Sequence, residues 1–239
     1  MRAAQVAVVL AAAATALATP VAVGAAAPRA HQMVVFRSGA ARLSRSSLAP
    51  ATVTVRRRRC AVAGGTPLAA LVHSGVGPLA LRDFGSCSRR AADGGGLFVS
   101  GIGADRNRGS DGWVYKVGNV LGTAGAADPA GPFGRGRLRA GVWITWFWCH
   151  VTSRSGGCQR TLVLRLLPAP RGLVVARITS FDDHGRGHVA AGATLHGGGR
   201  GAVADRRGVA RLRLRPGRHS VWAGERGHVR SFPAAAVIR

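Results

Sequence analysis

The sequence predicts a mainly β protein in two units: a small α+β unit with one short helix, then a small β-sandwich. Three observations carry this. Two aromatic segments, Trp113–Val117 and Val142–Trp148, have strand character and hold four of the five tryptophans and the sole tyrosine. One compact helix-start signal, Thr66-Pro67, is followed by only a short apolar stretch. Beyond Pro168 the chain breaks into short apolar runs set off by turn residues, the pattern of a sandwich.

Taken in order, Arg2 precedes an apolar run from Ala3 to about Ala27 that ends in small residues. A positive start, an apolar centre and a small-residue end describe a secretory signal over residues 1–26, cut after Ala25 or Ala26. An uncleaved anchor is the alternative, since the run is long enough to span; its alanines and Pro20 favour cleavage. No later run has spanning length, so the mature chain is expected to be a soluble, exported monomer, secreted or envelope-associated. Residues 27–51 are rich in Arg, Ser and Ala and read as a mostly disordered leader or linker. Within them Met33–Phe36 is a possible added edge strand.

The net charge is +25, and Lys116 is the one lysine among 34 basic residues. Such a chain is drawn to polyanions, including cell-envelope polymers, and salt weakens that attraction. The arginines are scattered, form no stripe with interleaved aromatics and match no nucleic-acid motif, so specific nucleic-acid binding is not expected. Export puts the four cysteines in an oxidising compartment. They allow three pairings; joining sequence neighbours gives Cys60–Cys87 and Cys149–Cys158. A zinc site would favour a shorter gap between ligands than any pair here offers.

The first unit is expected over 52–167. Val53–Arg56 and Cys60–Ala63 read as short strands joined at Arg57-Arg58. Thr66 is an N-cap with Pro67 in the first turn, Leu68, Leu71 and Val72 share one helical face, and Gly75 and Gly77 end the helix. Strands follow at Leu79–Phe84, Leu97–Ile102, Trp113–Val117, Val142–Cys149 and Arg160–Leu167. Trp113, Tyr115 and Val117 alternate with Val114 and Lys116; Ile144, Trp146 and Trp148 alternate with Trp143 and Phe147. Apolar residues on both faces mark a central strand. The sequence favours a core strand pair over an aromatic ligand platform, because aromatics dominate core energetics.

The order ββα then β, with Gly112-Trp113-Val114-Tyr115-Lys116-Val117 and a Gly-Val-Trp-Ile-Thr-Trp strand, resembles the transcobalamin C-terminal-like domain of bacterial secreted proteins. That family implies a β-grasp-like fold and a binding module rather than a chemistry. The chain departs from it in having Gly118-Asn119 where Asn-Gly is usual and Ala140-Gly141 where Gly-Asp is usual. The helical barrel that completes the cobalamin site in vertebrate carriers has no counterpart here. The long Leu121–Arg139 loop is where a ligand site would sit on a rigid sheet. A ligand rim of Tyr115, Lys116, Asn119, Asp128 and Phe133 is one reading; a solvated crossover loop is the other.

Residues 168–171 read as a stiff linker, and 172–239 as the sandwich. Ala210, Leu212 and Leu214 are expected to point inward, and Arg211, Arg213 and Arg215 outward. Gly192-Ala193-Thr194-Leu195, Asp205-x-x-Gly208-Val209-Ala210 and Leu214-x-Pro216-Gly217 resemble the Ig-like, prealbumin-like or carboxypeptidase-regulatory-like sandwich, whose members imply a noncatalytic module.

Asp182, Asp183, His184 and His188 form the one compact group of metal-ligand types. They offer calcium too few oxygens and read better as a solvated loop. There is no Gly-x-Ser-x-Gly elbow, and Glu225 is the sole glutamate. No cofactor is implied. The expected function is a noncatalytic binding or envelope-adhesive protein, its partner an envelope polyanion or a small ligand. The alternatives are a carrier of a cobalamin-like or other flat molecule, and a secreted hydrolase with an unrecognised site.

Overall fold

The computed structural model describes residues 26–85, 87–151 and 156–239. The signal expectation falls almost wholly outside them. Among the described residues no helix is long and apolar enough to cross a membrane.

The described chain opens with β1 (Arg29–Val35) and β2 (Ala41–Ser47), an antiparallel hairpin. This corrects the reading of 27–51 as a leader. β1 is no edge strand: it lies between β2 and a strand from the aromatic segment, and Met33 and Val34 are buried. A second hairpin follows, β3 (Ala51–Val55) with β4 (Arg58–Val62). Its turn is Arg56-Arg57, one residue earlier than expected, and both residues take positive φ.

Helix α1 (Pro67–His73) begins as predicted. The Thr66 hydroxyl accepts from the Ala69 N–H, and Pro67, which lacks an N–H, fills the first turn. After α1 come β5 (Leu79–Asp83), a 3-10 turn at Ala91–Gly96, β6 (Leu97–Ile102), β7 (Asp105–Arg106), β8 (Gly112–Val117), β9 (Val120–Leu121) and β10 (Trp143–Cys149).

The principal sheet runs β2-β1-β10-β8-β9, and its central pair, β1 and β10, is parallel. With α1 on one face this is the grasp arrangement, but its opening hairpin is β1–β2 rather than β3–β4. Trp113, Tyr115, Ile144, Trp146 and Trp148 are buried under α1 with Leu68 and Leu71. Tyr115 also closes the long loop: its hydroxyl lies 2.7 Å from the Ala124 carbonyl and 3.2 Å from that of Pro132. Gly122 must be glycine here, because a Cβ would occupy the tyrosine ring.

Burial, helped by the nearby charge of Asp128, holds the Tyr115 phenol proton well above its ordinary pKa of 10.0. The unfolded chain ionises near 10.0 while the folded one keeps its proton. The folded state therefore binds more protons, and its stability falls as pH rises past 10. Because Tyr115 is the chain's only tyrosine, tyrosinate absorbance should appear only as the protein unfolds. Absorbance rising before the loss of near-ultraviolet dichroism would contradict this.

The sandwich opens earlier than expected. β11 (Thr161–Leu167) pairs with β12 (Leu173–Phe181), so 168–171 is a hairpin loop within the sandwich, not a linker between units. The remaining strands are β13 (Gly187–Val189), β14 (Thr194–Gly197), β15 (Arg200–Val203), β16 (Val209–Arg213), β17 (Gly217–Gly224) and β18 (Ala234–Ile238). β11-β12-β13, with β16 also on β12, faces β15-β14-β17-β18. Ala210, Leu212 and Leu214 are buried between the sheets and Arg211, Arg213 and Arg215 are exposed, as the alternation requires.

Both cysteine pairings are present, with Cα atoms 5.2 Å apart for Cys60–Cys87 and 5.0 Å for Cys149–Cys158.

Candidate functional site: the cleft between grasp and sandwich

The face of the principal sheet turned away from α1 carries Lys116, Trp143, Thr145 and Phe147. Lys116 lies directly across from Thr145. Its side chain has no exposed surface, and its ammonium reaches into the sandwich. Nζ donates to the Asp182 carbonyl at 2.8 Å and the Phe181 carbonyl at 3.1 Å, lies 3.5 Å from Thr161 Oγ1, and pairs with Asp183 Oδ1 at 3.3 Å. Burial lowers the Lys116 pKa; the Asp183 carboxylate opposes that shift.

Asp183 ties three segments together. Besides Lys116 it accepts from the Cys158 N–H through Oδ2 and from the Leu121 N–H through its carbonyl, each at 2.9 Å. The Cys149–Cys158 disulfide joins the end of β10 to that same point. Val229 of the sandwich packs with Met33, Val35 and Phe147, a small apolar core between the units. Grasp and sandwich are thus held in one geometry by a buried ion pair, a disulfide and shared apolar contacts.

Beside this latch opens a cleft of about 540 Å³. Its apolar walls are Trp143, Leu162, Leu164 and Phe232; its polar groups are Asn119, Thr145, Thr161 and Arg230. Trp143 is 45% exposed, whereas the other aromatics of its segment are buried. His31 stacks on it at 4.3 Å and Phe232 meets it edge-on at 4.6 Å. Trp143 is thus the one aromatic of its strand left half-exposed, with His31 on one face, while Trp146 and Trp148 lie in the core as the sequence favoured. A hollow of about 690 Å³ beside Cys149 and Cys158 is larger, and it is lined by Arg82, Arg106, Asp111 and Val151 rather than by an exposed tryptophan platform.

The structure does not assemble the five expected rim residues. Tyr115 points under α1, Asp128 caps the Ala130 N–H within the loop, and Phe133 is partly buried on that loop. Lys116 and Asn119 face the sandwich instead; Asn119 lines the cleft, and Lys116 lies against its Thr145 and Thr161. Sequence reasoning missed Trp143 as the exposed member of the aromatic run, and missed Thr161, Arg230 and Phe232 altogether. A single lysine in an arginine-rich chain, opposite a threonine in an apolar strand, was the available signal for a polar contact there.

Asp182–Arg186 is a turn, and His188 lies on β13. The Asp182 carboxylate accepts from the N–H groups of His184 and Arg186, which lowers its pKa, and Asp183 serves Lys116. Among the described residues no three His, Cys, Asp or Glu side chains converge on a metal position.

No family model, no curated protein and no solved structure matches this chain.

Proposed function

We propose that the chain is an exported, noncatalytic binding protein that carries a small, flat ligand in the cleft between grasp and sandwich. The observation that carries this is the cleft itself: mostly apolar, floored by a half-exposed tryptophan, given a few polar groups, and fixed in shape by the Lys116 latch. Its volume is in the range of small-molecule sites. No histidine, cysteine or carboxylate lines it among the described residues, which supports binding over hydrolysis. The disulfides support an oxidising compartment. The resemblance of the first unit to the transcobalamin C-terminal-like domain, and of the second to prealbumin-like sandwiches, points the same way, to binding modules.

The test is a screen of cobalamin and flat aromatic compounds against the mature, oxidised protein, read by thermal shift and tryptophan fluorescence. A hit is expected to quench Trp143. Trp143→Ala is expected to weaken it by about tenfold or more, as loss of a central aromatic anchor does. A hit whose affinity ignores Trp143→Ala would refute the cleft as its site.

A second reading, attachment to an envelope polyanion, is favoured by one observation. On the exposed face of the β11–β12–β16 sheet Arg165 stands directly opposite Arg177, with Arg211 and Arg213 on the adjacent strand. Like charges placed so repel, and a polyanion would relieve that. Replacing Arg165 and Arg177 by serine should release the protein from anionic cell-wall polymer at lower salt than an equal charge change on the β3–β4 turn. Equal release would count against this face.

A further inference from the structure

Resting on the cleft reading, we infer that the ligand is an anion, a flat molecule whose carboxylate or phosphate sits on Arg230 while its ring lies against Trp143. Arg230 lines both the cleft and a neighbouring cavity of about 370 Å³ that reaches His196, Trp222 and Glu225. It is the one formally charged residue lining the cleft. Its guanidinium lies 3.7 Å over the Trp222 ring, a contact that holds its plane and leaves the N–H edge to serve a partner.

No such partner is supplied by the protein. Among the described residues Arg230 makes no ion pair or hydrogen bond, and its Nε is buried without a partner. Glu225, which lines the neighbouring cavity with it, lies 3.5 Å from His228 Nδ1 and forms no ion pair with Arg230. His196 stacks on Trp222 at 4.1 Å. Burial, aided by the Arg230 charge, lowers its pKa, so it adds no competing positive charge near neutrality. Burial likewise lowers the Arg230 pKa, the mark of a cation drawn from water without a counter-charge.

A partly buried guanidinium whose Nε is shut off from water is costly until it is paired, and its fork matches a carboxylate or phosphate two N–H groups at a time. The walls then define the remainder of the ligand. Trp143, Phe232 and Leu164 suit an aromatic or polyene body, and the hydroxyls of Thr145 and Thr161 with the Asn119 amide can take a further polar substituent. A neutral flat molecule would fill the same walls but leave Arg230 unpaired. The preference for an anion therefore belongs to this residue, not to the +25 charge of the whole chain.

The test uses the mature, oxidised protein with naphthoate and its neutral isostere naphthamide, measured by calorimetry at physiological salt. Wild type is expected to bind naphthoate at least about tenfold more tightly, the scale of a hydrogen-bonded charge pair. Arg230→Gln should abolish that preference while changing naphthamide by less than about twofold. Arg230→Lys should restore part of it, and Arg58→Gln, an exposed position on β4, should leave it intact, which separates local pairing from bulk charge. Thermal denaturation of each variant establishes that it is folded. Equal binding of both probes to wild type, or equal weakening of both by Arg230→Gln, would overturn the anion assignment and leave the cleft reading standing. Failure of both probes to bind would overturn the two together.

Discussion

Reduction of both disulfides is expected to leave the protein largely unfolded at body temperature. By loop-closure entropy the Cys60–Cys87 link, spanning 27 positions, contributes about 3.6 kcal/mol, and Cys149–Cys158, spanning 9, about 2.7 kcal/mol. Together that is about 6 kcal/mol, the size of a whole small-domain stability. The two should not fail alike. Cys60 and Cys87 lie in the apolar core under α1, so replacing both by serine should lower the melting temperature of the grasp. Cys158 also gives its N–H to Asp183, so Cys149→Ser/Cys158→Ser should loosen the contact between units as well. Hydrogen exchange at Leu121, whose N–H donates to the Asp183 carbonyl, reads that loosening directly. Exchange at Leu121 no faster than in wild type would show that the disulfide acts only through chain entropy.

Lys116→Met is expected to destabilise the protein by about 3 kcal/mol, the lower part of the range for breaking a buried pair. The lower part applies because the Asp183 side chain keeps 18% of its exposure and so some water. The loss has two sources: a carboxylate left without its cation, and the carbonyls of Phe181 and Asp182 deprived of the ammonium donor, the second of them keeping only the Gly185 N–H at 3.2 Å. The companion variant separates them. In Lys116→Met/Asp183→Leu no charge is stranded, and much of the lost stability should return. Urea denaturation of wild type, Lys116→Met, Asp183→Leu and the double variant gives the coupling. A single-variant loss below about 1 kcal/mol would mean that the lysine is no latch. The sign of its pH dependence is also fixed. With its pKa lowered by burial, the folded state releases the lysine proton before the unfolded chain does, so this group's contribution to stability rises as pH climbs toward 10.5. Tyr115 acts in the opposite direction above 10, and Tyr115→Phe separates the two.

What the sequence revealed was local. The alternation through Trp113–Val117 and Ile144–Trp148 reports which faces are buried because the pleat has a period of two. Thr66-Pro67 marks a helix start because capping chemistry acts within a few residues. The cysteine pairs followed from proximity along the chain. What stayed hidden was settled at long range. Arg29–Ser47 has the composition of a leader, and only the apolar run around Met33 hints otherwise. It becomes a central hairpin because β10 offers β1 a partner far along the chain. Pro168–Arg171 has the composition of a linker, and a hairpin loop uses the same residues. The cleft was invisible for the same reason: Trp143 and Asn119 come from one unit, and Thr161, Arg230 and Phe232 from the other. No periodicity in either half refers to its partner.

The parallel pairing of His31–Val35 with Trp143–Phe147 has a consequence for how the chain can come into being. Those partners are separated by more than a hundred residues, so the opening hairpin has no neighbour on its inner edge until nearly two thirds of the polypeptide exists. Pairings this remote make acquisition of structure slow. A newly made chain would therefore leave its opening hairpin without a partner until late, and would close up only once the aromatic segment had been made.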